Sequence, residues 1–429
     1  MLFEDITILD EELEVKEHMY VGVKDSFIDY IGESRPQEDY GEVYDGRGRL
    51  LMSAFYNAHS HHPMTLLRGY GENLSLSDWL NKRIFPFEDR LYPDAVYYGT
   101  LLGMAESIRF GIVSSSDMYY FCEDIARAVM ESGAKSNISR SIVFFGDGSM
   151  KNDERYIEAE NLIKNFHGAD DGRILVDACI HAEYTNTETS MREVAELAKK
   201  YGVNMQIHIS ETEAEHRECK ERHGGRTPVQ LCNDLGVFDT STTAAHCVWV
   251  EEEDMDILAE KGVTVASCPV SNLKLASGIC NVPALMKKGI SVAIGTDSVA
   301  SNNSLNFIEE MKFFALLNKA AHYDPTLITP KETLHAATYA GALAQGRHDC
   351  GRLKEGCHAD LIVLDISKPY MSPVHDLTTN LIYSAAGTDV ILTMCDGRVL
   401  YRDGLFLTID IEKTIAEVNA ACGSILSKL

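Results

Sequence analysis

Between residues 50 and 300 the chain repeats one unit: a short β-branched or apolar run, then a helix-like stretch, then the next run. Eight runs recur, at 53–59 (SAFYNAH), 112–118 (IVSSSDM), 138–145 (ISRSIVFF), 174–181 (ILVDACIH), 203–210 (VNMQIHIS), 242–247 (TTAAHC), 263–268 (VTVASC) and 290–297 (ISVAIGTD). The stretches between them include EDIARAVMESG, SMREVAELAKKYG and EEEDMDILAEKG, each closed by the glycine that commonly stops a helix. Parallel strands need crossover connections, and helices supply them. Eight such units are the number that closes a (β/α)8 barrel, which predicts an α/β TIM barrel over 51–354. The flanks read differently. Residues 1–50 and 355–410 carry short strands and turns, and neither can bury both faces alone. They are expected to pair into one composite β domain beside the barrel, with 411–429 as a last helix.

In such a barrel the chemistry sits at the C-terminal ends of the strands. Those ends carry His59 and His61 on the first run, His181 on the fourth, His208 on the fifth, His246 on the sixth and Asp297 on the eighth. Successive side chains of a strand point to opposite faces, so His59 and His61 share a face and His62 takes the other. An HxH alone is weak evidence, because a single histidine is more often a satisfied core or surface residue. Ligand-type groups at five strand ends, in an architecture that brings those ends together, point to a metal site.

Charge narrows the partners. A formal net charge of −26 over 429 residues argues against a nucleic-acid surface and favours a neutral or cationic small molecule. No leader-like segment or membrane-length apolar run is read, which suggests a cytoplasmic protein away from membranes. Eleven cysteines, an odd number without CxxC pairs, read as reduced thiols. His216, Cys219 and His223 fall at helical spacing in HRECKERH, but charged residues fill the gaps and a solvated helix is the expectation. EEED at 251–254 reads as a helix N-terminus.

The HxH, His208 in HISE, His246 in AHC and Asp297 in GTDS together resemble the amidohydrolase superfamily. The stretches NAHSHHPMTLLRGYGENLSLSDWLNKRIFPFEDRL, AHCVW, SNLKLASGI, GTDSVASNNSLN and EGCHADLIVLD resemble its methylthioadenosine and S-adenosylhomocysteine deaminase branch, which is related to chlorohydrolases and guanine and cytosine deaminase-like enzymes. The resemblance implies a distorted barrel, a composite β-sandwich from the flanks, and one divalent metal, usually zinc, with iron(II) or manganese(II) compatible. It assigns His59, His61, His208 and Asp297 as ligands. No lysine lies near the end of the fourth run, so a mononuclear site is expected. It further assigns Glu211, His246 and Asp297 to catalysis, Trp79 to the base, Glu88 to the ribose, and Arg140 and His181 to other parts of the substrate. Glu183 stands where the family usually has proline, and Arg155 is a candidate for a second substrate arginine.

The resulting expectation is hydrolytic deamination of an adenosine-type nucleoside: 5′-methylthioadenosine, S-adenosylhomocysteine, 5′-deoxyadenosine or adenosine. An extra carboxylate at Glu183 motivates the alternative of another aminated ring, of guanine, pterin, cytosine or triazine type. A third reading is a metal-bearing scaffold without catalysis. A homo-oligomer is compatible with the class, although no interface is legible.

Overall fold

The computed structural model describes all 429 residues. Its first parallel strand, Phe55–Ser60, is buried at every position, as a strand covered on both faces must be. It pairs with Ile112–Tyr119, which pairs with Lys135–Arg140 and then Ile174–Val176, all parallel. A second parallel sheet runs through Ala178–Ile180, Met205–Ile209, Thr242–His246, Thr264–Ser267 and Val292–Ile294. Single parallel bridges span the ends of the two sheets, Ser60 with Asp297 and Ile142 with Ile180. Several helices stop on left-handed glycines as their sequences predict: Gly202 (φ 66°) ends Glu188–Tyr201 and Gly262 (φ 64°) ends Glu252–Lys261.

All eight runs shift by a residue or more at an end, and two depart from expectation in a way that the fold explains. The third strand is Lys135–Arg140 rather than 138–145. Its start was hidden by a lysine, which the fold buries to 3% exposure against Asp360 and Asp396. The fourth run breaks at Asp177. Residues before it pair with the third strand and residues after it with the fifth, while its carboxylate accepts bonds from Asn137 (3.1 Å) and Gln206 (2.7 Å). A buried carboxylate with side-chain partners thus marks the place where the chain changes sheets.

The two flanks meet in one continuous nine-stranded sheet. Its seam pairs Arg49–Ser53 with Leu361–Asp365 antiparallel, and Leu2–Leu9 and Val390–Cys395 lie on either side. Phe3, Ile8 and Leu51 from one flank and Val363, Leu392 and Met394 from the other share a fully buried core. The C-terminal helix Ile411–Leu426 packs on the helix Pro93–Arg109. All eleven cysteines are free, and no helix is long and apolar enough to cross a membrane.

Candidate active site

The first strand carries His59, and His61 follows directly after its last residue, Ser60. The ligand-capable atoms of His59, His61 and His208 lie within 4.8 Å of one another, as do those of His59, His246 and Asp297. His61 Nε2 stands 3.2 Å and His59 Nε2 3.6 Å from Asp297 Oδ1, and His208 Nε2 is 3.4 Å from His61 Nε2. Five side chains, two from the HxH strand and one from the end of each of three others, therefore aim donor atoms at one pole.

The far nitrogens are tied down. His61 Nδ1 donates to the Met118 carbonyl at 2.6 Å, and His208 Nδ1 to the His181 carbonyl at 2.7 Å. Each bond fixes a tautomer that leaves Nε2 with a free lone pair. Burial pushes the His59 imidazole down to about 4 and holds His208 well below its ordinary value, so both are neutral at pH 7. Burial also opposes charge on Asp297, but His59 and His61 outweigh it and keep the carboxylate ionised. His59 Nε2 is buried without a hydrogen-bond partner. A buried orphan nitrogen is costly, and a cation at the pole would satisfy it. Burial opposes charge on His61 too, but Asp297 outweighs it and raises that imidazole's pKa. Imidazoles with one carboxylate suit a borderline divalent ion.

The backbone is bent to reach this geometry. Ser210, His246 and Asp297 adopt φ of 47°, 73° and 56°, left-handed values that cost non-glycine residues about 1–3 kcal/mol each. Each lies at or just past a strand end, where the chain turns out of the strand. Asp297 is further held by its own N–H, bonded to the His59 carbonyl at 3.0 Å.

A second group of polar contacts was not foreseen. The hydroxyls of Ser271 and Ser301 lie 2.5 and 2.9 Å from Asp297 Oδ2. Asn272 Oδ1 is 2.9 Å from His246 Nδ1, and the Ser277 hydroxyl donates to Glu211 Oε1 at 3.1 Å. Ser271, Asn272 and Ser277 all belong to the short helix Pro269–Lys274 and the turn after it. Their sequence signal was SNLKLASGI, a polar patch that no strand-end rule selects.

Glu211 precedes the cap Thr212 of the helix Glu213–Arg222 and so lies outside its first turn. Its carboxyl, 6% exposed, is 3.8 Å from His246 Nε2, and burial pushes its pKa up. Glu215 was also missed. Its two oxygens accept the N–H groups of Ser210 (2.8 Å) and Glu211 (2.7 Å), which pins the turn carrying Glu211.

One cavity opens onto the pole. His61, His208, His246, Asp297 and Glu211 line it together with Trp79, Glu88 and His181. Burial pushes the Glu88 carboxyl up to about 7, against the opposing pull of the Tyr119 hydroxyl. His181 is lowered to about 4 by burial, with Nδ1 3.0 Å from the Thr185 hydroxyl.

Three sequence candidates fall elsewhere. Arg140 lines the neighbouring cavity, with Nε donating to Glu158 at 2.6 Å. Arg155 donates to the Val143 carbonyl at 2.8 Å and lines neither cavity. Glu183 is buried behind the site, where its carboxylate pairs with Arg222 and faces His223 at 3.7 Å. The charge that set it apart in the sequence is neutralised by the helix expected to be solvated. That helix is itself partly buried at His216 and Cys219. His62 turns away as strand alternation predicts, onto Asp117 (3.1 Å) and Ser107 (3.1 Å).

Residues 50–400 match the Amidohydrolase family, and the chain belongs to it. Within that family, it is 40% identical to the 5-methylthioadenosine/S-adenosylhomocysteine deaminase of Caldanaerobacter subterraneus subsp. tengcongensis over 98% of this chain and 97% of the relative. It is 38% identical to the 5′-deoxyadenosine deaminase of Methanosarcina mazei over 95% and 94% of the two chains. The crystal structure of an adenosine deaminase from Xanthomonas campestris with bound zinc superposes with a TM-score of 0.92 at 30% identity, covering 99% of this chain and 98% of that one.

Proposed function

We propose that this chain is a metal-dependent hydrolytic deaminase of an adenosine-type nucleoside, of the kind formed by 5′-methylthioadenosine, S-adenosylhomocysteine, 5′-deoxyadenosine and adenosine. The observation that carries the reading is the pole of imidazoles and Asp297 with a protonatable Glu211 facing the same cavity. The names of the two relatives support the substrate class. In this reading the two parallel sheets form one distorted (β/α)8 barrel over 51–354, the sheet of 1–50 and 355–410 is a composite β-sandwich, and 411–429 is a docked helix.

His59, His61, His208 and Asp297 would hold one divalent cation, and zinc fits the donor set. The chemistry such a cation supplies is a water whose pKa falls to about 7. Asp297, its carboxylate steadied by Ser271 and Ser301, would accept a proton from the attacking water. Asn272 accepts the His246 Nδ1 proton, which leaves Nε2 to accept the water's O–H and aim its oxygen. Glu211 carries a proton to the ring nitrogen beside the amine-bearing carbon. The C–O bond forms, the C–N bond breaks, and the amine leaves as ammonia with a proton passed through the same carboxyl. Trp79 stacks near the base, and Glu88 accepts two ribose hydroxyls, for which a carboxylate is suited. The case for another aminated ring rested on Glu183, which lies on Arg222 and outside the cavity.

An ammonia-release screen of zinc-loaded protein against these nucleosides, guanine, pterins and cytosine tests the assignment. Turnover confined to adenosine-type nucleosides is expected; turnover of a free base with none of a nucleoside would overturn it. Glu88 provides an independent check in binding. It is ionised above about 7 and protonated below. Calorimetric affinity for a deaminated product nucleoside should therefore weaken roughly tenfold on crossing that value downward, as a charged acceptor becomes a neutral one. Glu88→Gln should bind weakly with a flat profile. A wild-type profile that is equally flat would remove Glu88 from the ribose.

A further inference from the structure

We infer that the outer half of the binding site selects nucleosides by the charge of the 5′ substituent, favouring neutral and cationic groups over anionic ones, with Glu158 as the specificity-determining residue. The inference rests on the nucleoside reading above.

A second cavity, of about 710 Å³, adjoins the catalytic one and shares Phe85, Glu88 and Tyr120 with it. Its volume falls in the range of small-molecule sites. With the base at the metal pole and the ribose at Glu88, a nucleoside's remaining end extends across this shared wall. The outer cavity is then the environment of the 5′ substituent.

Its chemistry is lopsided. Glu88, Asp89, Glu123, Asp124 and Glu158 bring five carboxyl groups to its lining, against the single guanidinium of Arg140. That guanidinium is already committed. Nε donates to Glu158 at 2.6 Å, another nitrogen donates to the Ser141 carbonyl, and the group lies over the Tyr120 ring, 5.0 Å from its centroid. An incoming carboxylate or phosphate must compete with Glu158 for this guanidinium and approach the other acids. Phe121 and Phe145, 39% and 72% exposed, add apolar surface suited to an alkyl or thioether group. Clefts lined by one sign of charge concentrate the field, so the effect acts on the whole substituent.

The test is a kcat/KM series on metal-loaded enzyme at low ionic strength. The nucleosides carry a 5′-methylthio group, the homocysteine tail of S-adenosylhomocysteine, its decarboxylated amine-bearing counterpart, and a 5′-phosphate. We expect the amine-bearing and methylthio compounds to lead, and the phosphate to fall at least about 100-fold below them. Glu158→Gln should raise the ratio of kcat/KM for the homocysteine compound over the methylthio compound about tenfold, mainly through KM, because Arg140 is released to meet the carboxylate. Added salt should narrow the wild-type discrimination. An unchanged ratio in Glu158→Gln, or a phosphate used as readily as a methylthio group, would overturn the inference while leaving the deaminase reading intact. Failure to turn over any nucleoside would overturn both.

Discussion

Glu211→Gln is expected to lower kcat about a thousandfold with KM, metal content and fold nearly unchanged, the usual scale for losing a general acid. Glutamine has the same shape and can still accept the Ser277 hydroxyl through its amide oxygen. The backbone that presents it also stays in place, because Glu215 holds the Ser210 and Glu211 N–H groups. What an amide lacks is a proton that moves. Burial raises the Glu211 pKa, so the native carboxyl holds its proton more tightly than an exposed glutamate and can give it to a ring nitrogen. Ammonia release, metal analysis and a thermal melt on the same preparation separate the possibilities. Metal-replete, folded variant with kcat within tenfold of wild type would assign proton delivery to another group.

Lys135→Met is expected to cost about 3–5 kcal/mol in denaturant unfolding, because removing one partner of a buried ion pair strands the other. Lys135 is 3% exposed on the third parallel strand and pairs with Asp360 and, at 2.6 Å, with Asp396. The Tyr56 hydroxyl from the first parallel strand binds the same Asp360 carboxylate, and the Asp396 N–H reaches its other oxygen at 2.8 Å. Both acids come from the C-terminal flank, so the network joins the nine-stranded sheet to the parallel strands. Methionine keeps most of the volume and none of the charge, leaving Asp360 buried with one hydroxyl and one N–H. Adding Asp360→Asn should recover part of the loss, since a neutral amide is cheaper to bury than an unpaired carboxylate. A single variant within about 1 kcal/mol of wild type would mean that solvent reaches the network.

Local pattern carried much of this molecule. Alternation located the strands, and strand parity separated His61 from His62, since a period of two is fixed by the backbone. Pattern failed where charge is buried. Lys135 at the start of a strand and Asp177 in the middle of one look like interruptions until Asp360, Asn137 and Gln206 are found beside them. The same blindness made Glu183 look like a substrate contact, because Arg222 lies 39 residues away in sequence and adjacent in space. Ser271, Asn272, Ser277 and Glu215 escaped for a different reason: they touch the groups that act, and their types are too common to stand out.

The segment Pro269–Ser277 contributes no candidate metal donor, yet it contacts Asp297, His246 and Glu211 at once. The three side chains proposed to handle protons therefore share one point of failure. Lesions in this segment should behave as a single event: a pair such as Ser271→Ala with Asn272→Ala should lose far less than the product of the two separate losses. Variation here would retune the acid, the base and the aiming imidazole together, so the segment sets the working pH of the site as one dial.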